Sequence, residues 1–529
     1  MAQVSMGLSA TETTILMTRR MQSNRFCGYI HLKHAGDLRN QVKSALLFTA
    51  FILFQLHMTA LAQGPGKEKF KDRVIAKGLA GPWEIIFGPD EQLWVTESKA
   101  YHVVQIDPGS GKKEILLDLS DQKSFPDYDA LNDSIDGGKP SPQGGLMGMA
   151  LHPQLLNGKP FVYLAFVYDF EGKQRKGDGQ DPKDHGFHFK TKIVRCQYDP
   201  KARKLKNLQT ICENIPGSND HNGGRLLISQ VGGKDYLFYS VGDMGAGQFR
   251  NAERKNHAQD ISVYEGKILR FNTEPENDKM TPEAWIPADN PFNGRSRNAV
   301  WTLGHRNPQG LAEMPVNGEK MLISSEHGPF SDDEINVIKR GSNYGHPLVI
   351  GYPDGNYNGL CAGVTDKEAL PGIWNSTYPL IVSEQQNAGL LKNYVPPIKS
   401  FFPTKNSELH AYADTIRAGK KSPEWPSLAP SGIAAYTSEA IPGWKGSLLI
   451  TSLKSRKVVR LKLKEGGTQI ESETDYFSKK VRYRDVAVSA DGRRIYLVTD
   501  SSAVTSGPSA ENPKGSEEEG AILEFSYEE

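Results

Sequence analysis

Five short stretches of this chain gather side chains capable of chemistry. Asp220-His221-Asn222-Gly223-Gly224-Arg225 sets an imidazole beside a carboxylate just ahead of an apolar run. A carboxylate orients a histidine and raises its basicity, which suits proton abstraction; a surface histidine in a turn fits the same letters. Gly304-His305-Arg306-Asn307-Pro308-Gln309-Gly310 packs a guanidinium, two amides and an imidazole between glycines. Arg306 there offers a planar fork of donors to an anionic or carbonyl-rich ligand, or it is an exposed arginine on a hydrogen-bonded loop. Glu326-His327-Gly328-Pro329-Phe330-Ser331-Asp332-Asp333-Glu334 is followed by Asn343-Tyr344-Gly345 and Gly351-Tyr352-Pro353-Asp354. Oxygen-rich loops of this kind suit calcium, although EF-hand spacing is missing and a solvated acidic loop reads equally well. The fourth stretch is Trp425-Pro426-Ser427-Leu428-Ala429-Pro430-Ser431-Gly432, with Lys454 closing the strand-like run LLITSLK. The fifth, Arg482-Tyr483-Arg484-Asp485, points two guanidinium groups the same way if it is a strand. They then form a solvated edge, or bind a polyanion where that face lines a shared mouth.

The elements that must position these groups recur along the chain. A turn containing Pro, Asp or Gly followed by a short apolar and aromatic strand appears at 87–98, 151–168, 231–243, 316–328, 443–454 and 489–500. Each strand reads as three to six residues and ends in a polar or charged group. Uneven spacing excludes a simple solenoid, and repeated sheets with variable loops predict a six-bladed all-β propeller of four-stranded antiparallel sheets. Long loops at one mouth would bear the site. Residues 405–420 predict the main helix, and 126–145 and 169–189 long loops. The terminal run AILEFSY predicts a strand that closes the ring.

Composition bounds the rest. High Gly (52) and Pro (32) among 529 residues, without a short period, imply many turns. Residues 1–62 hold six of the 63 Lys/Arg and two of the 62 Asp/Glu, leaving 57 basic against 60 acidic, so nothing points to nucleic acid. Cys27, Cys196, Cys212 and Cys361 show no zinc spacing. Cys196 and Cys212 on neighbouring runs are either a cross-strand disulfide or two free thiols. Arg39 to Lys43 precede the apolar run SALLFTAFILFQLHMTALAQ, which ends in Ala60-Leu61-Ala62 before Gln63. That is the pattern of a secretory signal peptide with cleavage near Ala62/Gln63; the other reading is an uncleaved N-terminal membrane anchor. Residues 1–62 are therefore set apart as an extension, 63–75 as a linker and 76–529 as the catalytic propeller, in a periplasmic or secreted protein.

The ordered set GHRNPQG, EHGP-SDDEIN-I, NYGHP, APSG and RYRDV, with the openings GPWEIIFGPD and QGGLMGMALHP, resembles the soluble pyrroloquinoline-quinone glucose dehydrogenases of the glucose/sorbosone dehydrogenase family. The likeness runs from about Gly81 to the last strand. It implies an enzyme that oxidises the C1 hydroxyl of an aldose to the lactone, using pyrroloquinoline quinone (PQQ) and Ca2+ and passing electrons to an external acceptor. His221 matches the general base, Asp243 the carboxylate that orients it, and Arg306 the arginine at the quinone oxygens. Asn307, Lys454, Arg482, Arg484, Trp425 and Ser427 match residues around the cofactor, and Gln143, Gln248 and Asp220 residues of the sugar site. Gly328 and Pro329 match carbonyls that hold the cofactor's calcium. Glu334 and Tyr344 match one structural calcium site, and Ile350, Tyr352, Asp354 and Glu384 another.

Three departures bear on specificity. Ser422 stands where the family's glucose enzyme has an aromatic residue, KNSELHAYADTIRAGKKSPEW lacks that enzyme's disulfide loop, and Phe330 replaces a smaller polar residue. The lost loop touches substrate and partner subunit there, so glucose preference and a homodimer both stay open. Two other functions share the fold: a calcium-dependent propeller lactonase and a non-catalytic carbohydrate-binding propeller. Neither needs four cations around the axis, whereas a cofactor with three carboxylates does.

Overall fold

The structure, a computed structural model, describes residues 61–63, 66–124, 142–170, 177–178, 185–248, 251–278, 281–363, 377–418, 420, 424–500 and 518–529. The signal-like run up to Ala60, Cys27, Ser422 and most of the two expected long loops lie outside them.

Each sequence repeat becomes the second strand of a blade. These strands are Leu93–Glu97, Phe161–Phe170, Lys234–Val241, Glu319–Glu326, Ser447–Ser452 and Arg494–Thr499. Each pairs antiparallel with an innermost strand that precedes it: Pro82–Phe87, Leu146–Leu151, Leu226–Val231, Pro308–Val316, Pro430–Tyr436 and Tyr483–Val488. Two further strands complete each sheet, and six such sheets make a six-bladed propeller. Three of the second strands run longer than the three to six residues expected, ten in blade 2 and eight in blades 3 and 4; those of blades 1, 5 and 6 have five, six and six. Leu93–Glu97 shows why they read so plainly: all its residues are buried, because neighbouring blades cover both faces. The repeated turn is itself functional in folding. Asp90 accepts the Trp94 indole N–H at 3.0 Å and the Gln105 amide at 2.7 Å, fixing the hairpin of blade 1.

The ring closes differently from expectation. Ile522–Glu528, the AILEFSY run, is the third strand of blade 6, and the fourth is Lys69–Ala76. Chain start is thus paired to chain end, and Leu61–Gln63 adds a short fifth strand beyond it. The segment 69–75 read as linker because KFKDRVIA is charged along its outer edge, as edge strands often are. Its anchor is Phe70, fully buried against Trp444, Tyr476 and Phe477.

Cys196 and Cys212 are free. Cys212 lies opposite Ile193, not Cys196, and the two thiols pack against different core clusters. Burial pushes both up to about 12, which leaves them inert as nucleophiles.

A long insertion separates the third strand of blade 4, Asp333–Val337, from its fourth, Lys399–Phe401. It carries a helix unforeseen in the sequence, Glu384–Leu390, capped where the Ser383 hydroxyl accepts the Gln386 N–H. The expected helix forms at Asn406–Arg417 and buries Leu409, Ala413 and Ile416, the spacing of one helical face.

Candidate active site

The site starts at the third blade. Left-handed backbone at His221 (φ 51°) turns the imidazole inward, where Nδ1 lies 2.7 Å from Asp243 Oδ1. Asp243 follows the end of the second strand of the same blade. Its other oxygen accepts hydrogen bonds from His346 Nε2 at 2.8 Å, Asn256 Nδ2 at 3.0 Å and the Tyr378 hydroxyl at 3.0 Å. Burial opposes charge on this carboxylate, yet the two histidines facing it hold it well below the usual carboxylate range. A proton on His221 Nδ1 then faces Asp243, and Nε2 keeps a lone pair. That lone pair meets the Gln248 amide nitrogen at 3.1 Å, and Gln248 Oε1 accepts from Arg306 at 3.0 Å. Arg306, Gln248, His221 and Asp243 form one hydrogen-bonded chain. Asp220 and Gln143 border it: Asp220 accepts the His221 N–H at 3.2 Å and the Gln143 amide at 3.4 Å.

Blade 4 supplies the next wall. Glu326, at the end of its second strand, accepts the backbone N–H groups of Arg306 and Asn307 and pairs with His305 at 3.0 Å. The Asn307 side chain in turn accepts the Gly223 N–H at 3.2 Å, tying the two motifs together. Arg306 also donates to the His327 carbonyl at 3.3 Å. Burial, helped by the charges of Arg306 and Arg484, pushes the His327 imidazole well below its ordinary value, so it is neutral.

The remaining cations come from blades 5 and 6. Arg484 donates to Gln309 at 2.7 Å and Asp500 at 2.9 Å, with its guanidinium 4.3 Å from the Trp83 ring centre. Arg482 reaches the same Asp500 at 3.5 Å and the Leu453 carbonyl at 3.3 Å. Lys454, next to Leu453, donates to the Trp425 carbonyl at 2.5 Å and lies 4.9 Å from that indole. Phe330 packs edge-on against Trp425 at 5.1 Å. Burial lowers both Arg482 and Lys454 from their ordinary values. Arg482 and Arg484 thus share the Asp500 carboxylate. Ser427 is used differently: its hydroxyl donates to Asp333 at 2.7 Å, and Asp333 also takes the N–H groups of Leu428 and Ala429. It fixes the loop beneath Trp425.

The donor set fits a tricarboxylate. Buried nitrogens of Arg306 (Nε), Arg484 (Nε) and Gln309 (Nε2) have no partner, and a buried donor left unmatched is costly. Calcium fits through carbonyls. Among the described residues no donor reaches the Gly328 or Pro329 carbonyl, and no cluster of three His, Cys, Asp or Glu side chains has metal-holding geometry. Glu334 accepts from Gly351 N at 2.8 Å and Asn336 at 2.9 Å, and burial beside Glu326 raises it well above the usual range. A buried carboxyl in that state gains from a cation. The Tyr344 hydroxyl instead donates to the Val337 carbonyl, and its ring stacks on His305. Glu384, pushed up to about 7 by burial, accepts the N–H groups of Ile350, Gly355 and Tyr357. It shapes the loop of Tyr352 and Asp354 from within; Tyr352 itself is exposed.

Sequence reasoning assigned no site role to Glu326, Asp500, His346, Tyr378, Asn256 and Gln309, although Glu326 and Gln309 stand in the clusters 326–334 and 304–310 singled out for their chemistry. A signal existed for two of them: Glu326 and Asp500 occupy the polar ends of repeated second strands, where Asp243 also falls. His346 and Tyr378 come from the blade 4 insertion and carry no such signal.

Fold and site together define a propeller in which Arg306 is chained to a histidine–aspartate pair and Arg482 and Arg484 share one carboxylate. The chain belongs to the glucose/sorbosone dehydrogenase family, whose model matches residues 79–383 and 404–505. It is 32% identical over 483 residues to quinoprotein glucose dehydrogenase B of Acinetobacter calcoaceticus, covering 87% of this chain and 91% of that one. An aldose sugar dehydrogenase of Escherichia coli is 28% identical over 434 residues, covering 81% and 90%. The PQQ-bound aldose sugar dehydrogenase of Streptomyces coelicolor superposes with a TM-score of 0.55 at 25% identity, covering 88% and 100%. The chain is therefore a member of a sugar dehydrogenase family.

Proposed function

We propose that this protein is a quinoprotein aldose dehydrogenase, which uses PQQ and Ca2+ to oxidise the C1 hydroxyl of glucose or a related aldose to the lactone and passes the electrons to an external acceptor. The observation that carries this reading is the run of contacts from the His221–Asp243 pair through Gln248 to Arg306, and past His327 to Arg484, which shares Asp500 with Arg482 beside Lys454. When bound, the quinone supplies the hydride acceptor and calcium polarises it. The protein's share is binding, orientation and proton transfer. Arg484, Arg482 and Lys454 would hold the cofactor's carboxylates, and Arg306 would hold its quinone oxygens. The sugar hydroxyl replaces the Gln248 amide at His221 Nε2, which takes the proton. Asp243, kept charged by its donors, stabilises the imidazolium that results. Gln143, Gln248 and Asp220 contact the sugar, and Trp425 flanks the mouth. The carbonyls of Gly328 and Pro329 would hold the cofactor's calcium, while Glu334 and the loop 350–354 would hold structural calcium.

Among the described residues no helix is long and apolar enough to cross a membrane. The run 44–63 supports export and a periplasmic or secreted protein. In the test, apoprotein is reconstituted with PQQ, with Ca2+, or with both, and dye-linked oxidation of several aldoses is followed. Turnover with both and with neither alone is expected; turnover without PQQ would overturn the proposal.

A further inference from the structure

The carboxylate of Asp243 is served by more donors than a catalytic pair needs. His221 Nδ1 and the Gly245 N–H meet Oδ1 at 2.7 and 3.0 Å, while His346, Asn256 and Tyr378 all meet Oδ2. Five donors exceed the roughly four lone-pair directions of a carboxylate, so both oxygens are held in place. The last three donors do not share an origin. Asn256 follows Asp243 in the loop of blade 3, but His346 and Tyr378 belong to the insertion of blade 4.

The insertion is built to deliver Tyr378. Its ring is wedged so closely beside Gly247 and Gly363 that a Cβ on either glycine would stand 2.8 or 2.4 Å from a ring carbon. The neighbouring Thr377 hydroxyl donates to the Arg254 carbonyl at 2.6 Å, locking this segment to the blade 3 loop. The imidazole of His346 stands edge-on to the Tyr378 ring at 5.8 Å.

We infer that Tyr378, with His346 and Asn256, is a positioning residue for the base: the blade 4 insertion clamps Asp243 Oδ2 so that Oδ1 presents to His221. The inference rests on the reading of His221 as base. Its chemistry is simple. Each donor on Oδ2 both fixes the carboxylate and draws off part of its negative charge, so the donors set how firmly His221 holds a proton. The other charged and titratable groups facing His221 are Asp220, Arg306, His327 and, beyond His327, Arg484. All of them are left intact by changes at Tyr378 or Asn256.

The test is a titration of His221 in apoprotein by histidine-selective NMR, assigned with His221→Gln, in wild type, Tyr378→Phe and Asn256→Ala. Phe preserves the wedge between the glycines, and Asn256 is only half-buried, so at least one variant should fold, as judged by unchanged thermal unfolding. Loss of a donor should leave more charge on Asp243 and move the His221 titration to higher pH by about half a unit or more. In reconstituted enzyme the acid limb of the kcat profile should move the same way with KM little changed. An unshifted His221 titration in both folded variants would overturn the inference, whatever the activity. Failure of the base reading is separately visible, as near-normal turnover in His221→Gln.

Discussion

At the residue scale, the proposed function divides between one proton acceptor and several fixed charges. His221→Ala should lower kcat by about 100-fold or more, the usual worth of a positioned base, while cofactor affinity, followed by quenching of intrinsic fluorescence, changes little. Near-normal turnover would remove its role. Arg484→Met tests the other half. It removes a charged donor pair that spans Gln309 and Asp500. Cofactor affinity should fall by tenfold or more, in line with about 1.5–3 kcal/mol for a hydrogen bond to a charged group. Unchanged affinity would place the cofactor elsewhere.

At the element scale, what matters is which strands hold the ring shut. Lys69–Ala76 pairs with Ile522–Glu528 along nearly its whole length, so both chain ends of the propeller sit in one sheet. Phe70 is the part of that strand that enters the core of blade 6. Phe70→Ala should cost about 3–5 kcal/mol, the range for a buried phenylalanine, seen as an earlier midpoint in urea. The same substitution at the exposed edge of the strand, Lys71→Ala, should be nearly neutral. Equal effects of the two would mean that ring closure does not depend on this strand.

At the scale of the whole molecule, the blades meet on an ion cluster at the axis. Arg225 of blade 3 bonds Glu84 of blade 1 at 2.7 Å, Asp485 of blade 6 at 2.8 Å and the Gln309 carbonyl of blade 4 at 3.0 Å. Burial raises both carboxyls above their ordinary values, against the pull of Arg225. Breaking a buried pair strands the remaining charge, so Arg225→Met should destabilise by about 3–5 kcal/mol at neutral pH. The sign with pH follows from linkage. Carboxyls raised in the folded state keep protons that the unfolded chain has lost, so the stability they allow is present at acid pH and falls as pH rises above the ordinary carboxylate range. The variant should therefore lie closer to wild type near pH 5 than at pH 8 in thermal unfolding. An equal or larger gap at pH 5 would contradict this account of the axis.

Much of this was legible in the residues. Six apolar runs behind Gly, Pro and Asp turns specify six second strands, because a strand covered on both faces must be apolar throughout. The clusters at 220–225, 304–310 and 482–485 stand out because polar residues in dense company are rarely idle. Local patterning could not reveal that Lys69–Ala76 is a strand, since an edge strand hides half its face in charge. Nor could it reveal that the Ser427 hydroxyl donates to Asp333, or that Cys212 faces Ile193. Register and partner choice depend on residues hundreds of positions away. The supports of Asp243 are the plainest case: His346 and Tyr378 are 103 and 135 residues distant along the chain. Composition and periodicity determined the architecture and the chemical inventory, because both are written in local order; only the tertiary structure decided which donor meets which acceptor, because hydrogen bonds are settled over a few ångströms of space and not by distance along the chain.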